Sequence, residues 1–454
     1  MIEAPSRESV EEASDFLIRK ALQKGAAGAD VVYRFGRGGA LSLRDGETEK
    51  NSFGTSVGIG LRTLDRWGRQ GAAQVNSLSR PFLEDLAEWS LKNCASSEPD
   101  PNIYLAPGCS IPLPDLELYD PQVEDVTPGY RMEVCREMWE IARDGDPRVV
   151  SVRSAAWGEG AGEYYYRSSE GLSLWYQATS AGCGVSVVMA AGDDIMEMGG
   201  FGGDSRFISG LDLREAASEA VRRTSLVMGG KPLPTGRYDI ILDGEAAASL
   251  IDVIGELFLA PAVHKNKSFL KGKLGERVAS PALSLTDDGL LKGGLGTSPF
   301  DGEGVPRSRT CLLSSGIAAG WLYNLKYALI DGVKPTGNGS RSLSGVPDVD
   351  FTNLILEPGR WTLEDLFLQV GKGIYVTELL GFHTVNPVSG EFSLGIKGAS
   401  VSGGAPGGAV SGMTVAGNLK DVMMNIDLVG KDFRFYGSTG ACSLVIRDVA
   451  ASGA

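Results

Sequence analysis

The sequence predicts an α+β protein in which a mixed α/β amino-terminal domain, residues 1–230, precedes a β-rich carboxy-terminal domain, residues 231–454. Three observations predict this class. Amphipathic helical patterns alternate with strand patterns throughout the first half. The run 231–236 (Lys-Pro-Leu-Pro-Thr-Gly) is typical of a domain boundary. From residue 280 onward glycine alternates with short apolar runs, and the 62 glycines of the chain favour many turns and bulges in a β-rich domain.

The amino-terminal elements follow from local signals. Ser9 and Glu12 fit a capping box for a first helix, which Gly25 ends. Strands are expected near residues 29–33, 40–43 and 54–61, and a second helix begins near Pro81. Residues 95–126 are rich in Pro, Asp and Ser and are predicted to form a long connection. A third helix covers residues 128–143, strands dominate 149–198, and Asp212 caps a fourth helix.

Composition excludes several classes of function. The formal net charge of −14 disfavours binding to the phosphate backbone of nucleic acids, and no strongly basic run offsets it. No apolar stretch is long enough to span a membrane, and the amino terminus does not resemble a secretory signal. The six cysteines form no CxxC pair, so we expect reduced thiols in a cytoplasmic protein.

Among the residues that commonly bind metals or act in catalysis, histidine is the scarcest in this chain. The chain has only His264 and His383, which are too far apart in sequence to form a local metal motif. Because histidine is the commonest zinc ligand and general base, this scarcity argues against a zinc site in this chain. We therefore expect no metal or other cofactor bound by it.

Two groups of carboxylates remain as candidate sites. On a helix predicted for residues 244–259, Glu245, Ser249, Asp252 and Glu256 form one polar stripe opposite an apolar face. The stripe is either a solvated face or domain interface, or a groove that holds a hard cation such as calcium or magnesium. On the glycine-rich loop 299–306, two further carboxylates form either an acidic turn or a site for a metal or an amine.

A set of segments in the second half resembles the PmbA/TldE branch of the TldD/PmbA family, also called modulators of DNA gyrase. The resemblance is carried by residues 290–293 (LLKG), 297–305 (TSPFDGEGV), 336–338 (TGN), 376–381 (VTELLG), 388–393 (VSGEFS) and 415–421 (VAGNLKD). It implies the PmbA/TldD-like fold, with a mixed amino-terminal domain and a larger β-rich carboxy-terminal domain. It also implies pairing with a TldD-like chain in a heterodimeric peptidase.

In TldD-like chains the resemblance implies an HExxxH helix and a carboxy-terminal cysteine that hold zinc, whose open position activates water. Here the motif falls on residues 251–256, so Ile251, Asp252 and Glu256 stand at degenerate zinc-motif positions. Cys442 lies near the position of the cysteine, but one thiol cannot rebuild the site. The resemblance therefore places zinc in the partner chain.

We expect this chain to be a non-zinc subunit that pairs with a TldD-like peptidase and helps to bind or process extended peptides. Alone it is expected to be able to form a homodimer. The candidates for a substrate or interface surface are Asp301, Glu303, Asn338, His383 and Asn386. The alternatives are a self-sufficient hydrolase or transferase that uses carboxylates, and a regulatory binding protein without catalysis.

Overall fold

The structure is a computed structural model that describes residues 4–108, 114–192 and 194–453. Its first half combines long strands with helices, and the second half is richer in short strands. The elements of the first half are α1 Arg7–Gln23, β1 Gly28–Arg44, β2 Glu47–Leu64, β3 Gln70–Val75, α2 Arg80–Ala95, α3 Pro128–Asp144, β4 Val149–Ser168, β5 Ser173–Ala191, β6 Ile195–Ser205 and α4 Leu213–Val227.

The helices begin close to the predicted positions, with one difference. The predicted capping box at Ser9 is wrong, because α1 begins earlier and the hydroxyl of Ser6 accepts a hydrogen bond from the Ser9 N–H at 3.2 Å. Both residues are N-cap formers, so the sequence alone could not decide between them. Ser79 precedes α2 as expected, and Asp212 caps α4 by accepting the Glu215 N–H at 2.8 Å.

The first half is built on a six-stranded antiparallel sheet with the order β3-β2-β1-β4-β5-β6. Helices α1 and α2 cover one part of a face through Leu17 and Leu86, and α3 and α4 cover another part through Met138 and Ala220. The predicted helices therefore form the outer layer, and the long hairpins form the framework. Residues 54–58 (GTSVG) match the GxSxG pattern of a nucleophile elbow, but they continue as part of β2 and do not turn into a helix.

The elements of the second half are β7 Gly236–Leu242, α5 Gly244–Glu256, α6 Ala260–His264, β8 Leu285–Asp288, β9 Arg309–Ser314, β10 Ile317–Ala318, α7 Leu325–Asp331, β11 Gly339–Ser340, β12 Asp348–Val349, β13 Leu354–Leu356, α8 Leu363–Val370, β14 Lys372–Leu380, β15 Glu391–Ser402, β16 Ala405–Asn418, α9 Leu419–Asn425, β17 Ile426–Val429, β18 Arg434–Tyr436, β19 Thr439–Ala441 and β20 Leu444–Ser452. The mixture of helices and strands confirms the expected α+β class.

Two sheets organise the second half. One has the order β10-β9-β8-β13-β19-β18, and the other has the order β16-β15-β14-β7-β20-β17. Because β16 also pairs with β20, the strands β16, β15, β14, β7 and β20 close into a ring. Closure removes free edges from this part of the sheet. Apolar side chains of the ring and of α5 and α9 pack together in one core, which fixes α5 against the sheets.

Candidate functional site

The helix that carries the degenerate motif positions is fixed at its start by a strand. Strand β7 lies between β14, to which it is parallel, and β20, to which it is antiparallel. The carboxylate of Asp243, directly after β7, accepts the Ala246 N–H at 2.8 Å and caps α5. Leu250, Ile251 and Ile254 are buried in the core, so the polar side of α5 faces away from it.

The polar stripe of α5 has a different environment at each end. At its start, Glu245 forms an ion pair with Arg223 of α4 at 2.8 Å. Further along, Asp252 accepts a hydrogen bond from the hydroxyl of Thr439. At its end, Glu256 is exposed. The stripe is thus an interface with the first half of the chain at one end and a solvated face at the other, as the first of the two sequence interpretations proposed.

A cleft of about 240 Å³ lies where α4 and β6 of the first half face α5 and β14 of the second. Arg223 is its central cation, because it also pairs with Asp243 and donates to the carbonyl oxygen of Thr377 at 2.6 Å. The cleft is lined by Met198, Gly199, Gly200, Arg223, Thr224, Val227, Glu245, Ala246, Ser249, Thr377, Glu378 and Leu379.

Burial shifts the pKa values of the carboxylates beside this cleft. Burial raises the pKa of Asp243 to about 6, although the charge of Arg223 opposes the shift. Burial also raises the pKa of Glu245, again against the charge of Arg223. The lining holds neither histidine nor cysteine, so the cleft can hold a polar or cationic group but offers no paired nucleophile and base.

The residues at the zinc-motif positions do not fit zinc. Ile251 has no donor atom and is fully buried, and Asp252 and Glu256 are carboxylates that zinc uses mainly beside histidine or cysteine. Cys442 is fully buried, and burial raises the pKa of its thiol to about 12, which opposes the thiolate that a metal needs. Among the residues that the structure describes, no three His, Cys, Asp or Glu side chains group into a metal site.

The prediction that Asp301 and Glu303 line a surface is wrong, because both carboxylates are buried. Asp301 accepts the N–H groups of Glu303, Val305 and Gly339 at 2.7–3.0 Å and so closes the acidic turn that the sequence offered as one alternative. Glu303 accepts the Leu325 N–H at 2.8 Å. Burial raises the pKa of both groups, and the Asp301 charge adds to the rise for Glu303.

Asn338 is also buried, so its predicted place on a surface is wrong too. Its amide donates to the carboxylate of Asp287 at 2.8 Å and to the carbonyl oxygen of Asp350 at 3.0 Å. The side-chain oxygen of Asn338 accepts from Thr336 at 2.7 Å. The residue therefore ties its own segment to strand β8 and to the segment after β12, because a buried amide needs partners for both its donors and its acceptor.

The other two surface candidates lie after β14. Asn386 is exposed, and its side-chain oxygen accepts the N–H groups of Val388 and Ser389 at 2.9 and 3.2 Å, which is a turn-forming arrangement. His383 belongs to a short 3₁₀ helix, but its side chain lies outside the described part of the structure. Nε2 of the other histidine, His264, lies 2.9 Å from a carboxylate oxygen of Asp331.

A buried charge network joins the two halves, and no sequence signal indicated it. The Asp30 carboxylate on β1 accepts from Arg62 of β2, from Arg341 of the second half, and from the hydroxyl of Tyr166. Arg62 also lies 3.9 Å from Glu303. Because Asp30 and Arg341 are 311 residues apart, local spacing carries no trace of the contact.

Comparison of the sequence with known proteins identifies a family to which it is similar. The sequence matches three family models, described as PmbA/TldA metallopeptidase domain 1 over residues 29–94, the central domain over 121–226 and the C-terminal domain over 235–453. The chain is 26% identical to the metalloprotease PmbA of Escherichia coli O157:H7, over 98% of this chain and 97% of that protein.

Solved structures agree with this match. A protein of Thermotoga maritima described as a modulator of a DNA gyrase superposes with a TM-score of 0.89 at 27% identity, over 98% of this chain and 100% of that chain. TldE of Thermococcus kodakarensis superposes with a TM-score of 0.87 at 23% identity, over 97% and 100%, and shows the shared fold. This chain belongs to the PmbA/TldA metallopeptidase family.

Proposed function

We propose that this chain is a TldE/PmbA-like subunit that binds no zinc itself and pairs with a TldD-like zinc peptidase to bind or process extended peptides. The observation that carries the proposal is the chemistry of the groups at the motif positions of α5 and of Cys442 near the carboxy terminus. Ile251 is buried, Asp252 is bonded to Thr439, and the Cys442 thiol is held protonated. The family match along the chain supports a metallopeptidase assembly.

The partner supplies the zinc and the water that it activates, and this chain completes the walls that hold the peptide. A β-rich surface suits an extended peptide, because main-chain hydrogen bonds give affinity and alternate side-chain pockets give selectivity. We place the pair in the cytoplasm, in keeping with the free Cys94, Cys135, Cys183, Cys311 and Cys442. No helix within the described ranges is long and apolar enough to cross a membrane.

The first experiment is co-expression with the TldD-like chain of the same organism. We expect one stable complex by size-exclusion chromatography with light scattering, and peptide hydrolysis that requires both chains. The matched control is the TldD-like chain alone. A mixture in which the two chains elute separately and hydrolysis is unchanged by this chain would remove the proposal.

Elemental analysis separates the zinc question from the pairing question. We expect purified chain to hold far less than one zinc per molecule and the complex to hold zinc in proportion to the TldD-like chain. Stoichiometric zinc in the chain alone would contradict the argument from α5 even if the two chains paired.

A self-sufficient enzyme that uses carboxylates is the second candidate, and burial argues against one of the two carboxylate pairs that could serve it. Asp301 and Glu303 are buried and bonded to backbone N–H groups, which leaves Asp252 and Glu256. Peptide or amide turnover by the chain alone that Glu256→Gln abolishes would favour this candidate. A regulatory binding protein without catalysis is the third, and a stable partner unrelated to peptidases would favour it.

A further inference from the structure

The segment after α6 carries a strong positive charge on an acidic protein. Residues 265–277 hold five cationic side chains and one carboxylate, a net charge of +4, so the rest of the chain carries −18. Between Lys267 and Lys271 stand three buried or half-buried residues, Ser268, Phe269 and Leu270, and the other residues of the segment are exposed. Its exposed cations are Lys265, Lys267, Lys271, Lys273 and Arg277.

The backbone of this segment is held in place by buried anchors. The Ser268 hydroxyl donates to the Leu257 carbonyl oxygen at 2.8 Å and accepts the Leu270 N–H at 3.2 Å. Leu270 is buried in the core, and the Gly275 N–H donates to the Ala318 carbonyl oxygen at 2.8 Å. The Lys267 N–H donates to the Ala262 carbonyl oxygen at 2.7 Å, which holds the segment before Ser268 as well. The lysines are therefore presented from a fixed backbone rather than from a free loop, which lowers the entropy cost of binding.

Most of this charge is not neutralised within the chain. Among the described residues, the segment contains one ion pair, between Lys273 and Glu276 at 2.7 Å. Lys271 donates to the side-chain oxygen of Asn266, which carries no charge. Lys420 of α9 adds a further cation, since its ammonium lies 5.1 Å from the centre of the Phe269 ring.

We propose that residues 265–273 and Lys420 form a docking surface for an acidic segment of an extended peptide. The inference rests on the proposed function and deepens it by naming the class of substrate. An acidic peptide is complementary to the surface, and its flexible carboxylates can reach separate ammonium groups. The −18 charge of the remaining chain repels a long polyanion. The aromatic residue of the surface, Phe269, is half-buried and lies beside Lys420, unlike the exposed stacking residues that bind nucleic acids.

The test uses the purified full chain alone and fluorescence anisotropy. The probes are a labelled glutamate-rich peptide, lysine-rich and serine-rich peptides of the same length, and an oligodeoxythymidine. We expect the glutamate-rich peptide to bind with an affinity that falls as salt rises, and the other peptides to bind far more weakly. Reversal of two charges in Lys265→Glu/Lys267→Glu should weaken binding about tenfold, from loss of attraction and added repulsion.

Lys24→Glu/Lys50→Glu is the matched control, because it changes the net charge equally at two exposed lysines of the first half. We expect its affinity to stay within about twofold of the wild type. Equal losses in both variants, or tighter binding of the oligodeoxythymidine, would overturn the docking surface. The anisotropy assay needs no partner chain and tests the docking surface alone. Co-elution with the TldD-like chain tests the proposed pairing, so failure of one proposal is distinguishable from failure of the other.

Discussion

The buried contact between the two halves offers a direct test of what holds the chain together. Asp30 accepts from Arg62 at 2.5–3.2 Å, from Arg341 at 2.5 Å and from the Tyr166 hydroxyl at 3.0 Å. The side chains of Asp30, Arg62 and Arg341 are at most 1% exposed. In Asp30→Asn the shape is kept, but two guanidinium groups lose the charge that offsets their burial.

The expected cost follows from the burial of these groups. Loss of one partner from a buried ion pair usually costs about 3–5 kcal/mol, because the remaining charge cannot return to water. With two guanidinium groups on one carboxylate, we expect Asp30→Asn to lower the free energy of unfolding by at least about 3 kcal/mol. Arg341→Met should cost less, because it leaves Asp30 paired with Arg62.

Urea denaturation followed by circular dichroism measures the loss. Lys92→Ala is the control, since it removes the exposed ion pair with Glu88 from a helix and should cost less than about 1 kcal/mol. Burial alone would raise the pKa of Asp30, but Arg341 and Arg62 outweigh it and hold the pKa below its ordinary value. The contribution of Asp30 is therefore complete above about pH 4 and is lost as pH falls through the folded pKa.

A second readout follows from this sign. The difference in stability between the wild type and Asp30→Asn should be constant near neutral pH and should shrink in acid. A folded Asp30→Asn protein whose stability at neutral pH matches that of Lys92→Ala would refute the reasoning. So would a difference that grows as the pH falls.

Three further outcomes follow from individual residues. Gly39→Ala places a Cβ 2.3 Å from the Arg131 guanidinium, which cannot move aside freely because it is buried and bonded to the Glu159 carboxylate at 3.0–3.1 Å. It should therefore lower the urea midpoint clearly. Gly54→Ala, with nothing within 4 Å, should not, and similar midpoints would contradict this. Burial raises the pKa of Asp287 to about 6 despite its hydrogen bonds. Because the folded chain then holds this proton more tightly than the unfolded chain, the contribution of Asp287 to the free energy of unfolding falls by roughly 3 kcal/mol from pH 4 to above pH 6. Asp287→Asn should therefore show a weaker decline with pH than the wild type, and equal slopes would count against the shift. The Cys442 thiol should resist iodoacetamide in the folded chain and react after denaturation, as mass spectrometry would show; rapid reaction in the folded chain would contradict its burial.

Local patterns in the sequence were sufficient for α1 to α5 and for the class of fold, whereas the shorter helices α6 to α9 were not predicted. Asp212 caps α4 by accepting an N–H of its first turn, and Ser79 precedes α2 without a side-chain cap bond. Both starts were readable because the signals of a helix start lie within one turn. The polar stripe of α5 was readable for the same reason, since side chains four residues apart share a face of a helix. The predicted domain boundary at residues 230–231 stays a prediction.

Tertiary structure decided what each polar residue does. Asp301, Glu303 and Asn338 are polar residues of the kind that often line a surface site, yet all three are buried. The two carboxylates accept backbone N–H groups from distant segments, and the Asn338 amide donates to the carboxylate of Asp287. The contact between Asp30 and Arg341 has the same origin. Pairing across hundreds of residues leaves no periodic trace, because it depends on where the folded elements meet and not on the spacing along either one. The sequence by itself determined the family, the first five helices and the scarcity of metal ligands. Only the fold decided which charges are buried and which, such as the lysines after α6, reach solvent.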